Sequence, residues 1–421
     1  MKLSDQRRVQ SPESEVTAVE IPSLASGSRL KAAFRSDAPR PAPGPPDPKL
    51  PIGTSERLGP YQLVSELASG GMAKIYLAIR VGSEGFRRVV AIKRLHDSLY
   101  REPSHVDMFV DEANLSSLVD HPSVRQILDF GYAGGTFYMV MEFLNGEPLS
   151  AVYDAWVIDN PPPRPAGHAR VVARVVADLC SGLHAIHQLE DVAGNRLDVV
   201  HRDVSPQNLF VLHDGSTRVT DLGIAYALGR RQRTTGRRLK GKLAYMSPEY
   251  LGHQAYDLRT DVWSIGVVLW ELLAGKRLFR RANVALTAQA VSSDEIPALS
   301  SDDREIDPEL ASIVRRALSR DPRGRHESAL ALGQELERYL ARTSPVGRAE
   351  VSAWLDTLLP SSREKLRELV RLARTTPLAA GAPSSFPAPR EATRARIAPL
   401  IVLLALTLVG LALLCAYCLA R

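Results

Sequence analysis

A turn of small residues is the first feature of this chain that suits chemistry on a phosphate. Between two strand-like patterns the chain reads Leu67, Ala68, Ser69, Gly70, Gly71, Met72, Ala73, Lys74, Ile75. Small residues let backbone N–H groups approach phosphate oxygens closely. An ordinary β-hairpin explains the turn equally well, so the assignment needs support from elsewhere in the chain.

A buried lysine gives that support. Lys93 ends the apolar strand pattern 90–93. An ammonium held among apolar neighbours needs an anionic partner, because an unpaired buried charge is costly. A phosphate or a helix carboxylate would serve, and Glu112 lies on the helix-like pattern that follows.

Three oxygen-bearing side chains complete the set. Asp203 and Asn208 lie in the segment 200–210, and Asp221 follows in the segment 220–223. Asp203 can accept a proton, and Asn208 can coordinate a metal. Asp221 adds a second carboxylate of the kind that Mg2+ prefers. The sequence thus combines a phosphate turn, a buried cation and a metal-binding set.

The elements that must position these residues change in type along the chain. Segments 64–79 and 89–93 have β-branched, alternating character, whereas 173–188 and 261–274 carry apolar residues at helical spacing. Strands first and helices later predict an α+β fold with two lobes. We expect this domain to span residues 61–340, with a small β-rich lobe at 61–143 and a helical lobe at 144–340.

Both ends differ from this middle. Residues 1–60 are rich in Pro and Ser without apolar periodicity, which predicts a disordered tail. Residues 341–376 predict a helical extension broken at Pro360, followed by a linker at 377–396. Residues 397–420 contain no charge and are long enough to cross a bilayer as a helix. A buried core helix is the alternative, but it would normally keep a polar stripe.

Composition and charge exclude several classes. With 45% hydrophobic and 24% charged residues, the chain is not wholly disordered, collagen-like or multi-span. A net charge of +6 without a basic face gives little reason to expect nucleic-acid binding. An arginine-rich stretch at 230–242 keeps that alternative open. Three cysteines without metal-ligand spacing predict neither a disulfide framework nor a zinc site.

The ordered series of motifs resembles the eukaryotic-like (Hanks-type) serine/threonine protein kinases, in their bacterial membrane-anchored form. Further matching segments are 245–249 and 261–266, with Arg325 beyond them. The resemblance implies ATP and Mg2+ as cofactors and protein hydroxyls as substrates. Residues 67–75 would cover the ATP phosphates, Lys93 would hold them and pair with Glu112, and Asn208 and Asp221 would hold Mg2+.

The resemblance assigns the remaining roles in the same way. Asp203 would orient the substrate hydroxyl and accept its proton, whereas His201 would pack without acting as a base. Glu249 would pair with Arg325 as a structural contact. The base-binding pocket would comprise Ala91, Met141, Glu142, Leu144 and Phe210, with Met141 as gatekeeper and the backbone of 142–144 binding adenine.

The chain departs from the family pattern at five positions. Ala68 and Ala73 replace glycines of the phosphate turn, and Leu222 replaces the phenylalanine of the magnesium motif. Ser205 stands where the family has a catalytic lysine, and Lys242 stands where it has a threonine that contacts that lysine. We therefore predict that Lys242 supplies the missing catalytic charge. The rival interpretation is a pseudokinase, a scaffold that binds nucleotide or partners without phosphoryl transfer.

Regulation and location complete the expectations. Thr234 and Thr235 lie among arginines between the Asp221 and Glu249 motifs and are the predicted autophosphorylation sites, for which a homodimer is a further expectation. Arg390, Arg394 and Arg396 precede the apolar run 397–420. The positive-inside bias then predicts a single-pass protein of the bacterial inner membrane, contacting lipid through this run, with its kinase domain in the cytoplasm.

Overall fold

The structure is a computed structural model that describes residues 56–100, 102–157, 165, 167–191, 193–223, 241–299 and 306–377. The predicted phosphorylation sites Thr234 and Thr235 and the apolar run 397–420 lie outside these residues. Within the described part of the chain, no helix is both long and apolar enough to cross a membrane.

The strands of the described ranges form two antiparallel sheets. The strands are β1 (Arg57–Leu58), β2 (Tyr61–Ser69), β3 (Ala73–Val81), β4 (Arg87–Leu95), β5 (Ile127–Ala133), β6 (Thr136–Glu142), β7 (Gly146–Pro148), β8 (Leu209–Leu212) and β9 (Thr217–Val219). The first six form one sheet in the order β1-β2-β3-β4-β6-β5, and the last three form a small sheet. The central strands β3, β4 and β6 contain runs of consecutive buried apolar residues, so both faces of the sheet are covered there.

Ten helices lie in the described ranges. They are α1 (Pro103–Ser117), α2 (Leu149–Val157), α3 (His168–His187), α4 (Pro248–Leu251), α5 (Arg259–Ala274), α6 (Val284–Ser293), α7 (Pro308–Ala317), α8 (Ala329–Thr343), α9 (Arg348–Leu358) and α10 (Ser362–Thr375). Helix α1 covers the six-stranded sheet, with Phe109 and Ala113 packed against Ala91 and Met139. Helices α2 to α9 build a helical lobe around the buried helices α3 and α5.

This arrangement confirms the predicted α+β fold with a strand-rich lobe and a helical lobe. Two expected boundaries are shifted. Arg57–Leu58 pair with β2, and Leu58 is buried in the sheet core, so the disordered tail assigned to 1–60 extends too far. Helix α8 runs to Thr343, so the domain boundary expected at residue 340 falls inside a helix.

The last two helices connect the lobes. Helix α9 buries Trp354 in the helical lobe, where its Nε1 donates to His168 Nδ1 at 2.9 Å. Gly215 has a φ of +80°, and a Cβ there would lie 2.0 Å from the Arg348 carbonyl oxygen, so only glycine allows α9 to approach this closely. The chain turns around Pro360, and α10 then buries Ala373 against Leu77 of the strand-rich lobe.

Candidate active site

Lys93 is the centre of an ion-pair cluster between the lobes. Strand β4 places its Nζ 2.5 Å from Glu112 Oε1 of α1 and 2.9 Å from Asp221 Oδ1. The three side chains are mostly buried, with exposures of 15%, 17% and 27% in the order Lys93, Glu112, Asp221. The cluster holds two carboxylates and one ammonium, so its net charge is negative.

Burial and charge oppose each other in the ionisation of this cluster. Burial disfavours the Lys93 ammonium, but the charges of Asp221 and Glu112 outweigh it and raise the lysine pKa. Burial also works against the Asp221 carboxylate, yet Lys93 and then Arg125 lower its pKa to about 2. The pKa of Glu112 is raised, because burial exceeds the attraction of Lys93. Of the two carboxylates, Asp221 is therefore the stronger acid.

Asp203 belongs to a second cluster of polar side chains, together with Asn208 and Lys242. Asn208 Nδ2 donates to the Asp203 carbonyl at 2.9 Å and to Asp203 Oδ2 at 2.8 Å. Lys242 Nζ forms a salt bridge with the same Oδ2. Because Asn208 uses its amide nitrogen to hold Asp203, its Oδ1 is the atom that remains as a candidate metal ligand. This geometry holds the Asp203 carboxylate in one orientation.

Backbone contacts fix the loop that carries Asp203. The backbone N–H groups of His201 and Arg202 donate to the Asp261 carboxylate at 2.7 and 2.9 Å. His201 is buried, and its Nε2 lies 3.1 Å from the Thr220 carbonyl oxygen. Its position therefore agrees with a packing role. Gly223 admits no side chain, since a Cβ would lie 2.3 Å from the His201 carbonyl oxygen.

Two residues of this site have left-handed backbone. Arg202 has a φ of +63° and Asp221 a φ of +54°. Such values are uncommon for residues other than glycine, and they cost free energy that the surrounding contacts must offset. Asp221 is held by its bond to Lys93, and Arg202 by its bond to Asp261. Asp221 is a residue to which the sequence assigns chemistry, and Arg202 directly precedes Asp203.

The phosphate turn joins β2 to β3. Ala68 pairs with Ile75 and Ser69 with Lys74, and Gly70 donates its N–H to the Ala73 carbonyl at 2.8 Å. His96 at the end of β4 supports the turn. Its ring Nε2 lies 2.7 Å from the Gly70 carbonyl oxygen, and its backbone N–H donates to Met72 at 2.9 Å. Lys74 forms a salt bridge with Glu66 at 3.3 Å, and Leu67 and Gly71 complete the turn.

The predicted base-binding residues line the connection between the lobes. Ala91 and Met141 are buried and lie opposite each other in strands β4 and β6. Leu144 is buried just beyond β6, and Phe210 lies on β8. The structure therefore brings the apolar positions and the Lys93 cluster to one cleft. A cavity of about 460 Å³ in the helical lobe, lined by residues such as Arg323 and Arg338, lies elsewhere.

A further ion pair, between Arg325 and Glu249, is buried in the helical lobe. Arg325 donates to both carboxylate oxygens of Glu249 at 2.7 Å. Its guanidinium also donates to the carbonyl oxygens of Ser319, Arg259 and Arg320. The exposures of the two side chains are 0% for Arg325 and 4% for Glu249. Because the Arg325 donors and both Glu249 carboxylate oxygens are engaged in these hydrogen bonds, the pair agrees with the structural role expected from the sequence.

The sequence did not predict a role for Arg125. This arginine is 8% exposed and precedes β5, where its Nε and Nη2 lie 3.3 Å from the Glu142 carbonyl oxygen. Its burial lowers its pKa, against the attraction of Asp221 and Glu142. The available signal was weak: Arg125 lies between Val124 and Gln126, just before the apolar Ile127 and Leu128, where a buried cation would need an acceptor.

The donor set fits Mg2+ and a polyphosphate. Asp221 is ionised and Asn208 offers an amide oxygen, and oxygen ligands are those that Mg2+ prefers. The net negative charge around Lys93 favours a divalent cation. Lys93 and the backbone of the phosphate turn provide the donors that phosphate oxygens need.

Comparisons with known proteins agree with this cleft. The family model described as protein kinase domain matches residues 61–336. The chain is 37% identical over 309 residues to tyrosine-protein kinase MasK of Myxococcus xanthus, covering 70% of this chain and 46% of MasK. It is 32% identical over 293 residues to serine/threonine-protein kinase PknB of Mycolicibacterium smegmatis, covering 68% and 44%.

A third relative gives the same picture. Serine/threonine-protein kinase PrkC of Bacillus subtilis is 30% identical over 271 residues, covering 64% of this chain and 39% of PrkC. The chain therefore spans less than half the length of each of these three relatives.

Proposed function

This chain belongs to the protein kinase family, and we propose that it is an active serine/threonine kinase that transfers the γ-phosphate of ATP to protein hydroxyls. Members of this family use ATP and Mg2+. The observation that carries the proposal is the joining of Lys93 to Glu112 and Asp221 beside the Asp203 loop. An assembled cluster of this kind is what phosphoryl transfer needs, because its catalysis consists of positioning and charge stabilisation.

Each side chain has a task in this reaction. Lys93, held by Glu112, would position the phosphates of ATP under the turn 67–75. Asn208 and Asp221 would hold Mg2+, which neutralises charge on the phosphate oxygens. Asp203 would orient the substrate hydroxyl and accept its proton as the oxygen attacks phosphorus. Asn208 supports this task by fixing the Asp203 carboxylate through its amide.

Lys242 is proposed as the substitute for the missing catalytic lysine. Ser205 is buried, and its hydroxyl has no hydrogen-bond partner among the described residues. Because a hydroxyl is neutral, Ser205 cannot supply the positive charge of the lysine that it replaces. Lys242 reaches Asp203 from just before the turn Leu243–Tyr245. Its ammonium would stabilise charge on the transferring phosphoryl group, as the lysine of the family does.

The pseudokinase alternative rests on Ser205. The test is incorporation of radioactive phosphate from γ-labelled ATP by the full-length chain with Mg2+, compared with Asp203→Asn. We expect labelling by the parent that falls at least about 100-fold in the variant, the scale for losing a positioned catalytic proton acceptor. Nucleotide binding without labelling by the parent would instead establish the scaffold.

The acceptor residue needs a separate readout. Relatives are named both as serine/threonine kinases and as a tyrosine kinase. Phosphoamino-acid analysis of the labelled protein distinguishes the two. Phosphoserine and phosphothreonine are expected, and phosphotyrosine alone would assign the other specificity.

Autophosphorylation at Thr234 or Thr235 is part of the proposal, with a homodimer as its setting. Arg202 supports it, because its Nε is buried without a hydrogen-bond partner among the described residues. A phosphothreonine would supply the missing acceptor. Phosphate mapping on the parent and on the double alanine variant checks this assignment.

We also propose that the run 397–420 anchors the chain in the inner membrane with the kinase domain in the cytoplasm. The uncharged run and the preceding arginines support this location. Recovery of the full-length chain in the soluble fraction without detergent would contradict it.

A further inference from the structure

The base-binding end of the cleft contains a buried arginine that the proposed reaction does not use. Arg125 is 8% exposed, and no carboxylate of the described residues lies within 4.0 Å of its guanidinium. Its backbone N–H donates to the Val219 carbonyl at 2.9 Å, which fixes the start of the side chain between the lobes. The guanidinium shares a narrow cavity with Met141 and Asp221.

The contacts of this guanidinium are few for a buried cation. Its Nε and Nη2 share one acceptor, the Glu142 carbonyl oxygen, and both distances are 3.3 Å. A guanidinium has five N–H donors, and charge-assisted hydrogen bonds are normally shorter than this. Arg125 therefore keeps donor capacity for an acceptor that enters the cleft.

The Glu142 carbonyl oxygen, which Arg125 contacts, is also the acceptor expected at the edge of a bound purine. If the chain binds nucleotide as proposed, the backbone of 142–144 meets the edge of the base, and the Glu142 carbonyl would receive the 6-amino group of adenine. Arg125 offers donors to the same oxygen. An amino group would then meet donors beside its acceptor, whereas a 6-oxo group would itself accept from the guanidinium.

We propose that Arg125 is a specificity-determining residue, which raises the affinity of the cleft for 6-oxo purine nucleotides relative to ATP. The inference rests on the proposed nucleotide-binding function. Its physical basis is the pairing of donors and acceptors at one edge of the base. A ligand that leaves a buried polar group of the site without a hydrogen bond binds with a less favourable free energy.

The test compares Mg2+-ATP with Mg2+-inosine triphosphate, which differs from ATP at position 6 and at the adjoining ring nitrogen. Affinities are measured by calorimetry on the full-length chain in detergent, for the parent, Arg125→Leu and Arg218→Leu. Arg218 is the matched control, because its Nε binds the Glu142 side chain at 3.1 Å and not the carbonyl. The ratio of the two affinities is read within one preparation, so partial loss of folded protein cancels.

We expect the preference for ATP over inosine triphosphate to rise about tenfold in Arg125→Leu, the effect of one hydrogen bond. In Arg218→Leu the ratio should stay at the parental value. An unchanged ratio in Arg125→Leu would overturn the inference and leave the kinase proposal intact. Failure of the parent to bind either nucleotide would overturn both.

Arg125→Lys covers the case in which the leucine variant does not fold. It keeps the charge but loses the planar fork of donors. A several-fold rise in the ratio for this variant supports the role of the fork, and a parental ratio contradicts it.

Discussion

Two groups of ion pairs lie in different parts of the molecule and use the same kinds of side chain. In the cleft, Lys93 contacts two carboxylates, and all three side chains keep some exposure. In the helical lobe, Arg325 and Glu249 face each other with both bonds at 2.7 Å and almost no exposure. The cleft group has one carboxylate in excess, whereas the lobe pair is neutral.

The difference indicates which group can take part in chemistry. A neutral pair whose donors are all used has no capacity for a ligand, so its removal should damage the fold. A partly exposed group with excess negative charge can still attract a cation, so its removal should damage the reaction. Stability and turnover therefore respond to different substitutions, and the variants below test that separation from the largest expected effect to the smallest.

Arg325→Ala should have the largest effect, and it should fall on stability. Removing one partner leaves the Glu249 carboxylate buried and unpaired, which costs about 3–5 kcal/mol in other proteins. We expect a clear fall in Tm by calorimetry, with kcat of the folded fraction unchanged. The double variant Glu249→Leu, Arg325→Leu removes both charges and should recover part of the loss. A single variant as stable as the parent would contradict the comparison.

Asp221→Asn should have the opposite effect to Arg325→Ala, lowering turnover and leaving stability nearly unchanged. The amide cannot replace the carboxylate that holds Lys93 and would bind Mg2+, so phosphoryl transfer should fall roughly 10²–10³-fold, the scale for losing one charge stabiliser. The Tm should change little. Asp178→Asn is the control, because that aspartate pairs with Arg174 on α3, outside the Lys93 cluster. Turnover that survives in Asp221→Asn would remove the cleft group from the mechanism.

Lys242→Thr tests whether the cleft group extends to the Asp203 loop. If Lys242 supplies the missing catalytic charge, kcat should fall about 10²-fold while KM for ATP changes little, because the loss falls on the transition state. Ser205→Lys combined with Lys242→Thr restores the family arrangement and should recover part of the rate. Parental turnover in the single variant would show that Lys242 is an ordinary neighbour of Asp203.

The smallest expected effect is a difference between the parent and Glu249→Gln in how their stability depends on acid pH. The pKa of Glu249 lies below its ordinary value, because hydrogen bonds and charge from Arg325 outweigh its burial. Its contribution to stability is complete above the ordinary pKa and is lost as pH falls through the lower, folded value. The free energy of unfolding of the parent should therefore fall more steeply below about pH 4.5 than that of Glu249→Gln. Urea titrations at several pH values measure the two slopes.

The apolar surroundings of Lys93 predict an anionic partner, and the family resemblance assigns Glu112 to that place; the structure brings the two side chains into contact. The two-lobed fold follows from the order of strand and helix patterns. The role of Arg125 was missed, because the carbonyl that it contacts belongs to another strand and has no signature in the sequence. The docking of α10 on Leu77 was missed for a related reason: apolar periodicity predicts a helix, but not which surface it covers.

The position of α9 sets a limit on how the chain can be shortened. The family match ends at residue 336, yet Val351, Trp354, Leu355 and Leu358 are buried against the helical lobe. A recombinant fragment cut at the end of the match would leave the apolar surface beneath α9 open to water. Such a patch promotes association, so poor solubility of that fragment is expected from its boundary. A fragment for crystallisation should continue through Pro377, whose carbonyl accepts from Gln62 of β2.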